Sequence, residues 1–431
     1  MKVADPNAST ASDAATPRAE LPKSGTPWTE LKRELHDASQ SDVDWRNGRV
    51  PMFIHYAGED VLEVAKEAYR MYFSENGLGL RAFHSLARFE KEVVEMGLGL
   101  LHGDEDTRGA MTTGGTESIF LAVKAARDAA QERWNAAGQS HDVPEIVMAR
   151  SAHPAFDKAA HFMGIKTIRT PLRADFTADP QAIAAAITPN TIMVVGSAPA
   201  FPHGVMDPIV ELAAAAKARN VWMHVDACVG GYFLPFARQL GVVIEDFDFA
   251  VPGVTSISAD LHKYGYTAKG ASTLFFRDAA SFAHMGYYFD NWPRGQYFTH
   301  TLVGTRPGGA IAAAWAVMNY LGEAGYQRIT ERVLNTRKAL QKGLDAMGLP
   351  TIGNPQLSVF AYGSPQVDMA GLGKGLTSRG WMVGYVNEPP GIHHMLNLTH
   401  EPVVGQYLDD VKASLAELPA GQGGGKVSAQ Y

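Results

Sequence analysis

The first candidate for chemistry in this sequence is a lysine in the segment SISADLHKYGYTAKG, residues 256–270. Lys263 lies between His262 and an aromatic turn that contains glycine. Most lysines are solvated surface residues, and this is the ordinary interpretation of Lys263 on its own. A lysine whose pKa is lowered by burial or by nearby cations can, however, form a Schiff base with an aldehyde. His262 and Lys269 are such cations, so we expect Lys263 to be a reactive amine of lowered basicity.

A carboxylate ends the apolar run in VWMHVDACVGG, residues 221–231, which predicts a buried strand that terminates at Asp226. A carboxylate at the buried end of a strand carries a desolvation cost of several kcal/mol unless it contacts a cation or strong hydrogen-bond donors. The simpler alternative is that Asp226 caps a turn or a helix. Cys228, the only cysteine, follows two residues later, and we expect it to pack rather than to react.

A pair of glycines opens a predicted helix in TTGGTESIF, residues 112–120. The free backbone N–H groups and the partial positive charge at a helix start bind anions, and glycine lets the backbone approach a phosphate closely. Gly114, Gly115 and Thr116 are therefore candidate phosphate ligands. An ordinary glycine turn with Thr116 as the N-cap residue is the alternative. No Walker lysine follows, and GLGLLHG, which starts at Gly97, misses the dinucleotide-binding fingerprint, so nucleotide binding is disfavoured.

Together the three segments supply an amine for an aldehyde, a carboxylate for a ring nitrogen and a backbone site for a phosphate. These are the three requirements of pyridoxal 5′-phosphate (PLP), which we therefore expect as the cofactor. A metal site is not expected, because the sequence contains no HExxH pattern.

The elements that must position these residues alternate between strand and helix. Apolar runs at residues 146–149, 191–196 and 221–225 predict strands, and helical spacing predicts helices at residues 156–163 and 209–219. Such alternation predicts an α/β fold with a mostly parallel sheet. Ligands of such sheets bind just beyond the carboxyl ends of the strands, where the candidate residues lie.

Three further helices and a change in pattern suggest the domain boundaries. An amphipathic helix is predicted at residues 59–73, a second from Arg88, and an apolar one at residues 309–321, before a smaller α/β region. We expect a disordered lead at residues 1–22 and an N-terminal helical segment at residues 23–95. A large PLP-binding domain should follow at residues 96–308, and then a linker helix with a small C-terminal α/β domain at residues 309–418. A flexible tail is expected at residues 419–431.

The composition limits the partners. The chain has 431 residues, with 38 Lys and Arg against 45 Asp and Glu, and its formal net charge is −7. This balance disfavours partners that are held by phosphate neutralisation, such as nucleic acids. A single cysteine excludes internal disulfides and fits a reducing compartment. Neither a secretory signal nor an apolar run long enough for a membrane span is visible, so we expect a cytoplasmic enzyme for a small molecule.

Four motifs, in this order, carry a resemblance to a known family: TTGGTES, HVDACVGG, TSISADLHKYGYTAKGAS and PPGIHHMLNLTH. They resemble the motifs of sphingosine-1-phosphate lyase and its bacterial relatives, within the PLP-dependent decarboxylases of fold type I. The resemblance extends from about Arg49 to Ala416. It implies a fold type I enzyme with a large and a small domain. His393, His394 and His400 belong to the last motif, which is a strand region of the family and not a metal site.

The resemblance also implies roles for individual residues. Lys263 would bind the cofactor aldehyde covalently, Asp226 would pair with the pyridinium nitrogen, and His153, in SAHPAFDKAA, would stack over the cofactor ring. A structural histidine in the core or at the surface is the alternative for His153. Gly304 and Thr305, in GTRPGG, would reach the phosphate of the neighbouring subunit, so the site would be shared across a homodimer. The residues that would hold the phosphate within one subunit are Gly114, Gly115, Thr116 and His262.

The resemblance weakens at the residues that would contact substrate. Lys269 matches the family's lysine for a substrate phosphate, but Gly79 stands where the family has a histidine, and Arg81 could supply the lost charge. The family tyrosine falls at His55 or Tyr56, and a shift of one residue decides which. A donor lost from a polar site usually means a different ligand, so the sequence leaves open whether the substrate carries a phosphate. The lack of an amphipathic membrane anchor favours a small soluble amine.

Three functions are compatible with these residues. The first is a carbon–carbon lyase that cleaves a β-hydroxy amine or its phosphate, by a retro-aldol reaction, to an aldehyde and a smaller amine. Its base would be the freed Lys263 or a water held by His55 or Tyr56. The alternative is an amino-acid decarboxylase, because loss of a carboxylate needs the same electron sink. The third is a PLP-binding protein without turnover. Only the substrate contacts can separate the two enzymes.

Overall fold

The structure is a computed structural model that describes residues 18–419. The predicted disordered lead and flexible tail therefore lie mostly outside the described residues. Helices α1 to α12 are Trp28–Ser39, Glu59–Met71, His84–Leu100, Gly115–Ala136, Ala155–Met163, Pro180–Ala186, Ile209–Ala218, Leu234–Gln239, Ala279–Ala283, Gly308–Asp345, Met369–Ser378 and Val404–Ala416. Strands β1 to β13 are Arg108–Thr112, Glu145–Ala149, Lys166–Thr170, Thr191–Ser197, Trp222–Asp226, Val254–Ala259, Ser272–Phe276, Tyr287–Phe289, Tyr297–Thr299, Thr351–Ile352, Val359–Tyr362, Gly384–Asn387 and Pro390–Met395.

A seven-stranded sheet forms the centre of the large domain, with its strands in the order β1-β7-β6-β5-β4-β2-β3. The strands from β6 to β3 are parallel to one another, and β7 runs antiparallel to both of its neighbours. The sheet is therefore mostly parallel, as the alternation of strands and helices predicts. The expected α/β fold is confirmed.

Helices cover both faces of this sheet, which explains why its central strands are apolar on both sides. α4 and α5 pack on one face, where Ile119 and Phe156 are buried, and α7 and α8 pack on the other through Leu212 and Phe236. Because the central strands are parallel, the carboxyl ends of β4, β5 and β6 lie at one edge. This is the edge where a ligand is expected to bind.

The long helix α10 connects the sheet to the C-terminal region. It begins one residue before the predicted start, and its first part ends at Leu321 as predicted, because Gly322 has a φ of 53° and a ψ of −177°, which are not helical values. A second helical part follows as far as Asp345, so α10 consists of two helices that meet at a kink. The start of α10 packs closely against α2, because a Cβ atom on Gly309 would lie only 2.7 Å from the Tyr69 carbonyl oxygen. Only glycine leaves room for this contact.

The C-terminal region contains a four-stranded antiparallel sheet in the order β10-β11-β13-β12. The N-terminal segment of residues 49–56 is tied to this region by backbone hydrogen bonds. Met395 N–H donates to the Pro51 carbonyl at 2.7 Å, and Leu398 N–H donates to the Tyr56 carbonyl at 3.2 Å. This segment, which carries His55, is therefore held by the C-terminal region. Across residues 18–419, no helix combines the length and the apolar character needed to cross a bilayer.

Candidate active site

A cavity of about 280 Å³ opens at the carboxyl ends of the central strands. Ser197 is the last residue of β4, Asp226 is the last residue of β5, and Asp260 follows β6 directly. The predicted site residues that line this cavity are His55, Gly115, Thr116, His153, Asp226, His262, Lys263 and Lys269. The predicted site residues outside its lining are Tyr56, Arg81, Gly114, Gly304 and Thr305.

Lys263 forms an ion pair with the buried Asp260, which the sequence patterns did not predict. Its Nζ atom lies 2.8 Å from Asp260 Oδ2, and Asp260 Oδ1 accepts a hydrogen bond from Ser272 Oγ at 2.6 Å. Burial by itself lowers the pKa of Lys263, but the adjacent Asp260 carboxylate outweighs burial, and the net pKa is raised. The expectation of a less basic lysine is therefore wrong, because a carboxylate and not a cation is its nearest charged neighbour. The spacing of three residues between Asp260 and Lys263 was the signal that could have revealed the pair.

Asp226 ends β5 in a buried position, as predicted. Its partners are donors and not a cation: Oδ1 accepts from the Cys228 backbone N–H at 3.1 Å and from Ser258 Oγ at 3.4 Å. Among the described residues, none donates a hydrogen bond to the second oxygen. The carboxylate is thus fixed through one oxygen and lines the cavity with the rest of its side chain.

The start of α4 forms another wall of the cavity. The helix begins at Gly115 with Gly114 as its N-cap residue and without a side-chain cap, so the alternative in which Thr116 caps the helix is wrong. A Cβ atom on Gly115 would lie 2.7 Å from Asp260 Oδ2 and 3.0 Å from Cys228 Sγ. Glycine at this position therefore brings the backbone close to the Lys263–Asp260 pair. The uncapped N–H groups suit an anion such as a phosphate.

Two histidines contribute neutral rings to the cavity. Burial is the largest effect on the pKa of His153, and it lowers the pKa in spite of the nearby Asp226 carboxylate. His153 Nδ1 accepts a hydrogen bond from the Ala155 N–H at 3.1 Å, so a neutral ring carries its proton on Nε2. Burial likewise lowers the pKa of His262, whose Nδ1 donates to the Ala271 carbonyl at 2.7 Å.

Lys269 is a second amine at this cavity. Its ammonium donates to the His262 carbonyl at 3.1 Å. Partial loss of solvent and then the positive charge of Lys263 lower the pKa of Lys269 to about 8. Lys269 is therefore cationic at neutral pH and loses its charge in mildly alkaline solution.

His55 and Tyr56, between which the resemblance could not decide, differ in position. His55 lines the cavity, with its Nε2 3.0 Å from Met395 Sδ and its Nδ1 buried without a hydrogen-bond partner. Burial, followed by the charges of Lys269 and Lys263, keeps the pKa of His55 well below its usual value. The Tyr56 hydroxyl instead donates to Glu59 Oε1 at 3.0 Å.

Gly304 and Thr305 belong to a turn outside the cavity of their own chain. Thr305 Oγ1 accepts from Asn76 Nδ2 at 3.3 Å, which brings the turn next to the segment of Gly79 and the exposed Arg81. Large apolar side chains near this turn are exposed to solvent, on β8, on β9 and in the loops beside them. They are Tyr287, Tyr288, Phe289, Trp292, Phe298 and Leu302.

The residues around the cavity fit PLP. Lys263 offers an amine, Asp226 offers a buried carboxylate with one uncommitted oxygen, and the start of α4 offers N–H groups at Gly115, where a Cβ atom would crowd the Asp260 carboxylate. The three groups converge on a single space at the carboxyl edge of a mostly parallel sheet. This fold and this site define a PLP-dependent enzyme of fold type I.

Comparisons with known proteins agree with this class. Residues 85–352 match the family model described as the pyridoxal-dependent decarboxylase conserved domain. The chain is 39% identical over 421 residues to the sphingosine-1-phosphate lyase of Oryza sativa subsp. japonica, covering 96% of this chain and 77% of that protein. The chain belongs to the sphingosine-1-phosphate lyase family, and it is a PLP-dependent lyase.

Two solved structures extend the comparison. The sphingosine-1-phosphate lyase of Burkholderia pseudomallei K96243 is 34% identical, with a TM-score of 0.88 over 94% of this chain and 93% of that chain. The glutamate decarboxylase of Lactobacillus brevis is 21% identical, with a TM-score of 0.82 over 94% of this chain and 95% of that chain. The second likeness shows the shared fold alone.

Proposed function

We propose that this enzyme cleaves the bond between the α and β carbons of a phosphorylated β-hydroxy amine and releases an aldehyde and a smaller phosphorylated amine. The observation that carries the proposal is Lys269, a second cation at the cavity of Lys263. A phosphate on the substrate would meet this ammonium. The lining contains no arginine among the described residues, whereas a bidentate arginine is the usual partner for an α-carboxylate. The relatives named sphingosine-1-phosphate lyase favour the same substrate class.

The proposed roles of the residues follow from their chemistry. PLP, when bound, supplies a sink for the electrons of the breaking bond. Lys263 would bind the cofactor aldehyde, and the Asp226 carboxylate would hold a proton on the ring nitrogen. The neutral His153 would pack over the ring. The phosphate of the cofactor would be bound by Gly114, Gly115, Thr116 and His262.

We propose His55 as the residue that receives the proton of the β-hydroxyl group, directly or through a water. A neutral imidazole is required for this step, and burial keeps His55 neutral by lowering its pKa, although the same shift makes the imidazole a weaker base. Its buried Nδ1 lacks a partner, and a hydroxyl or a water would satisfy it. Tyr56 is a weaker candidate because its hydroxyl already donates to Glu59. The freed Lys263 is the other available base.

We also propose that a second copy of the chain covers the exposed aromatic surface of residues 287–302. Contiguous apolar surface of this kind marks interaction sites. In such a homodimer, Gly304 and Thr305 of each chain would bind the cofactor phosphate in the other chain, and Arg81 would lie beside the shared site. A cytoplasmic location is proposed from the single, unpaired Cys228.

The test is a panel of amines assayed in parallel for aldehyde and for carbon dioxide. It contains a long-chain and a short-chain β-hydroxy amine phosphate, the unphosphorylated amines, and amino acids. Aldehyde from the phosphates, with a KM that rises at least tenfold when the phosphate is absent, supports the proposal. Carbon dioxide without aldehyde identifies a decarboxylase, and a cofactor absorbance that no amine changes identifies a protein without turnover. Size-exclusion chromatography with light scattering tests the homodimer.

A further inference from the structure

Polar side chains form a buried ladder on one face of the central sheet. Trp222, His224 and Asp226 occupy alternate positions of β5, so they share one face. Ser256 and Ser258 occupy the same face of β6, where the register sets Ser256 beside His224 and Ser258 beside Asp226. All five are buried. Five polar groups in such a place must satisfy one another.

The donor and the acceptor of each hydrogen bond in this ladder can be assigned by starting from the Trp222 indole, which donates but cannot accept. The Trp222 Nε1–H can only donate, and it donates to Ser256 Oγ at 2.7 Å. Ser256 then donates its own hydrogen to His224 Nδ1, 2.8 Å away. The opposite ring nitrogen, Nε2, therefore carries the proton of a neutral imidazole and donates to Ser258 Oγ at 3.2 Å.

Ser258 is the donor in the next hydrogen bond, to Asp226. Its oxygen accepts from His224 and from Cys228 Sγ, the latter at 3.3 Å, so its single hydrogen is free to donate. That hydrogen is donated to Asp226 Oδ1 at 3.4 Å. The reversed arrangement, with the proton on His224 Nδ1, would take the hydroxyl of Ser258 away from Asp226. It would also leave the Ser256 hydroxyl without an acceptor among the described residues.

The charge state of the histidine agrees with this direction. Burial lowers the pKa of His224 to about 4, although the Asp226 carboxylate favours the charged form. The ring is therefore neutral at physiological pH and has one proton to place. Phe156 packs against the edge of this ring, with the two ring centroids 5.6 Å apart.

We propose that Trp222, Ser256, His224 and Ser258 form a one-way hydrogen-bond relay that holds Asp226 as a fixed hydrogen-bond acceptor opposite the ring nitrogen of the cofactor. Each donor in such a chain is polarised by the one behind it, and the last link, to the carboxylate, is the longest of the four at 3.4 Å. The inference deepens the proposed function and rests on the proposed role of Asp226. None of the four residues lines the cavity, so they are positioning residues.

The first experiment observes the hydrogens directly. Neutron diffraction from deuterated crystals of the holoenzyme at pH 7.5 should show deuterium on Nε2 and none on Nδ1 of His224, and the Ser258 deuteron directed at Asp226 Oδ1. Deuterium on His224 Nδ1 would overturn the relay whatever the enzyme catalyses. A doubly deuterated ring would overturn it as well.

The second experiment removes single members of the relay. Ser258→Ala should lower kcat about tenfold with KM within about twofold, because one hydrogen bond to a charged group is lost. It should also shift the pH midpoint of the absorbance of bound PLP. Trp222→Phe, which keeps the shape at the far end of the relay, should act in the same direction but less strongly, and it serves if Ser258→Ala does not fold. Trp134→Phe, a buried indole outside the relay, is the matched control and should leave the absorbance unchanged.

The outcomes separate the relay from the proposed function. If Asp226→Asn changes kcat and the absorbance but Ser258→Ala and Trp222→Phe leave both as in the wild type, the relay is overturned and the role of Asp226 stands. If Asp226→Asn also leaves both unchanged, the proposed role of Asp226 fails. If Ser258→Ala only lowers the thermal midpoint, the ladder is structural and the relay is again overturned.

Discussion

The Glu117 carboxylate accepts a hydrogen bond from the Leu302 backbone N–H at 2.8 Å. Through its other oxygen, Oε2, it accepts from the backbone N–H of Thr113 at 2.6 Å and from the hydroxyl of the same residue at 2.5 Å. One buried carboxylate therefore joins the start of α4, which would bind the cofactor phosphate in its own chain, to the turn that would reach the phosphate of a second chain.

We expect Glu117→Gln to weaken PLP binding about tenfold, because an amide has one acceptor oxygen and cannot accept on both sides. Titration of the apoenzyme with PLP, followed by absorbance, measures the change. Glu132→Gln, at an exposed position on the same helix, is the control and should bind PLP as the wild type does. Unchanged affinity in Glu117→Gln would mean that the junction does not support the phosphate site.

Lys263→Ala should abolish the absorbance of PLP that is bound covalently to the protein and the labelling of this residue by borohydride reduction and peptide mapping. It should also lower the free energy of unfolding by roughly 3 kcal/mol, because Asp260 would stay buried without its cation. Lys263→Arg keeps the cation but cannot bind the aldehyde, so it should lose the absorbance and keep most of the stability in urea unfolding. A Lys263→Ala variant that still binds PLP covalently and turns over would disprove the assignment.

Asp226→Asn should keep the cofactor but lose at least about 100-fold in kcat, by analogy with the removal of one preorganised group from an active site. Steady-state assays of the holoenzyme measure the loss, and the cofactor content is checked by absorbance after denaturation. Asp226→Glu retains the charge and should recover part of the rate. Wild-type turnover in Asp226→Asn would contradict the electron-sink role.

Lys269 gives the enzyme an expected pH dependence of substrate binding. Its pKa of about 8 means that the ammonium is present at pH 7 and is lost as the pH rises through 8. The KM for a phosphorylated amine should therefore rise above pH 8, whereas the KM for the unphosphorylated amine should not. Lys269→Arg, which stays charged, should remove this rise, and Lys269→Gln should show a high KM at every pH. A flat KM in the wild type would rule out a contact with the substrate phosphate.

His55 and Tyr56 form a natural pair of variants. His55→Asn should lower kcat about 100-fold if the imidazole is the base, since positioned general bases contribute at least that factor. Tyr56→Phe removes only the bond to Glu59 and should leave kcat within about twofold. Equal effects of the two changes would transfer the role to Lys263 or to water.

The sequence could identify those site residues whose polar side chains are expected to be buried and therefore to need a partner. Asp226 was predicted at a strand end because a carboxylate after an apolar run needs partners, and Lys263 was singled out by its surroundings. Lys263 was weighed against the cations His262 and Lys269 and not against Asp260, three residues before it, so the shift in the pKa of this lysine was predicted with the wrong sign. The ladder of His224 and Ser258 was detectable in principle, since polar residues alternate in two strands that are both buried.

The choice between His55 and Tyr56 required the structure for a different reason. The side chains of neighbouring residues in an extended segment point in opposite directions. An uncertainty of one residue in the alignment therefore changes which side chain is expected to face the cavity. The end of the first part of α10 was predicted correctly, because glycine disfavours helical backbone and Gly322 is not helical. The sequence patterns did not predict the second helical part, which continues from this kink to Asp345.

The backbone bonds from Met395 to Pro51 and from Leu398 to Tyr56 have a mechanical consequence. They attach the N-terminal segment of residues 49–56 to the C-terminal region. The cavity wall that carries the His55 imidazole would therefore move together with that region. A displacement of the C-terminal region that opens the cavity would also move this imidazole away from it. The reverse displacement would bring the imidazole back. The entry of substrate and the placement of the proposed base would then depend on the same displacement.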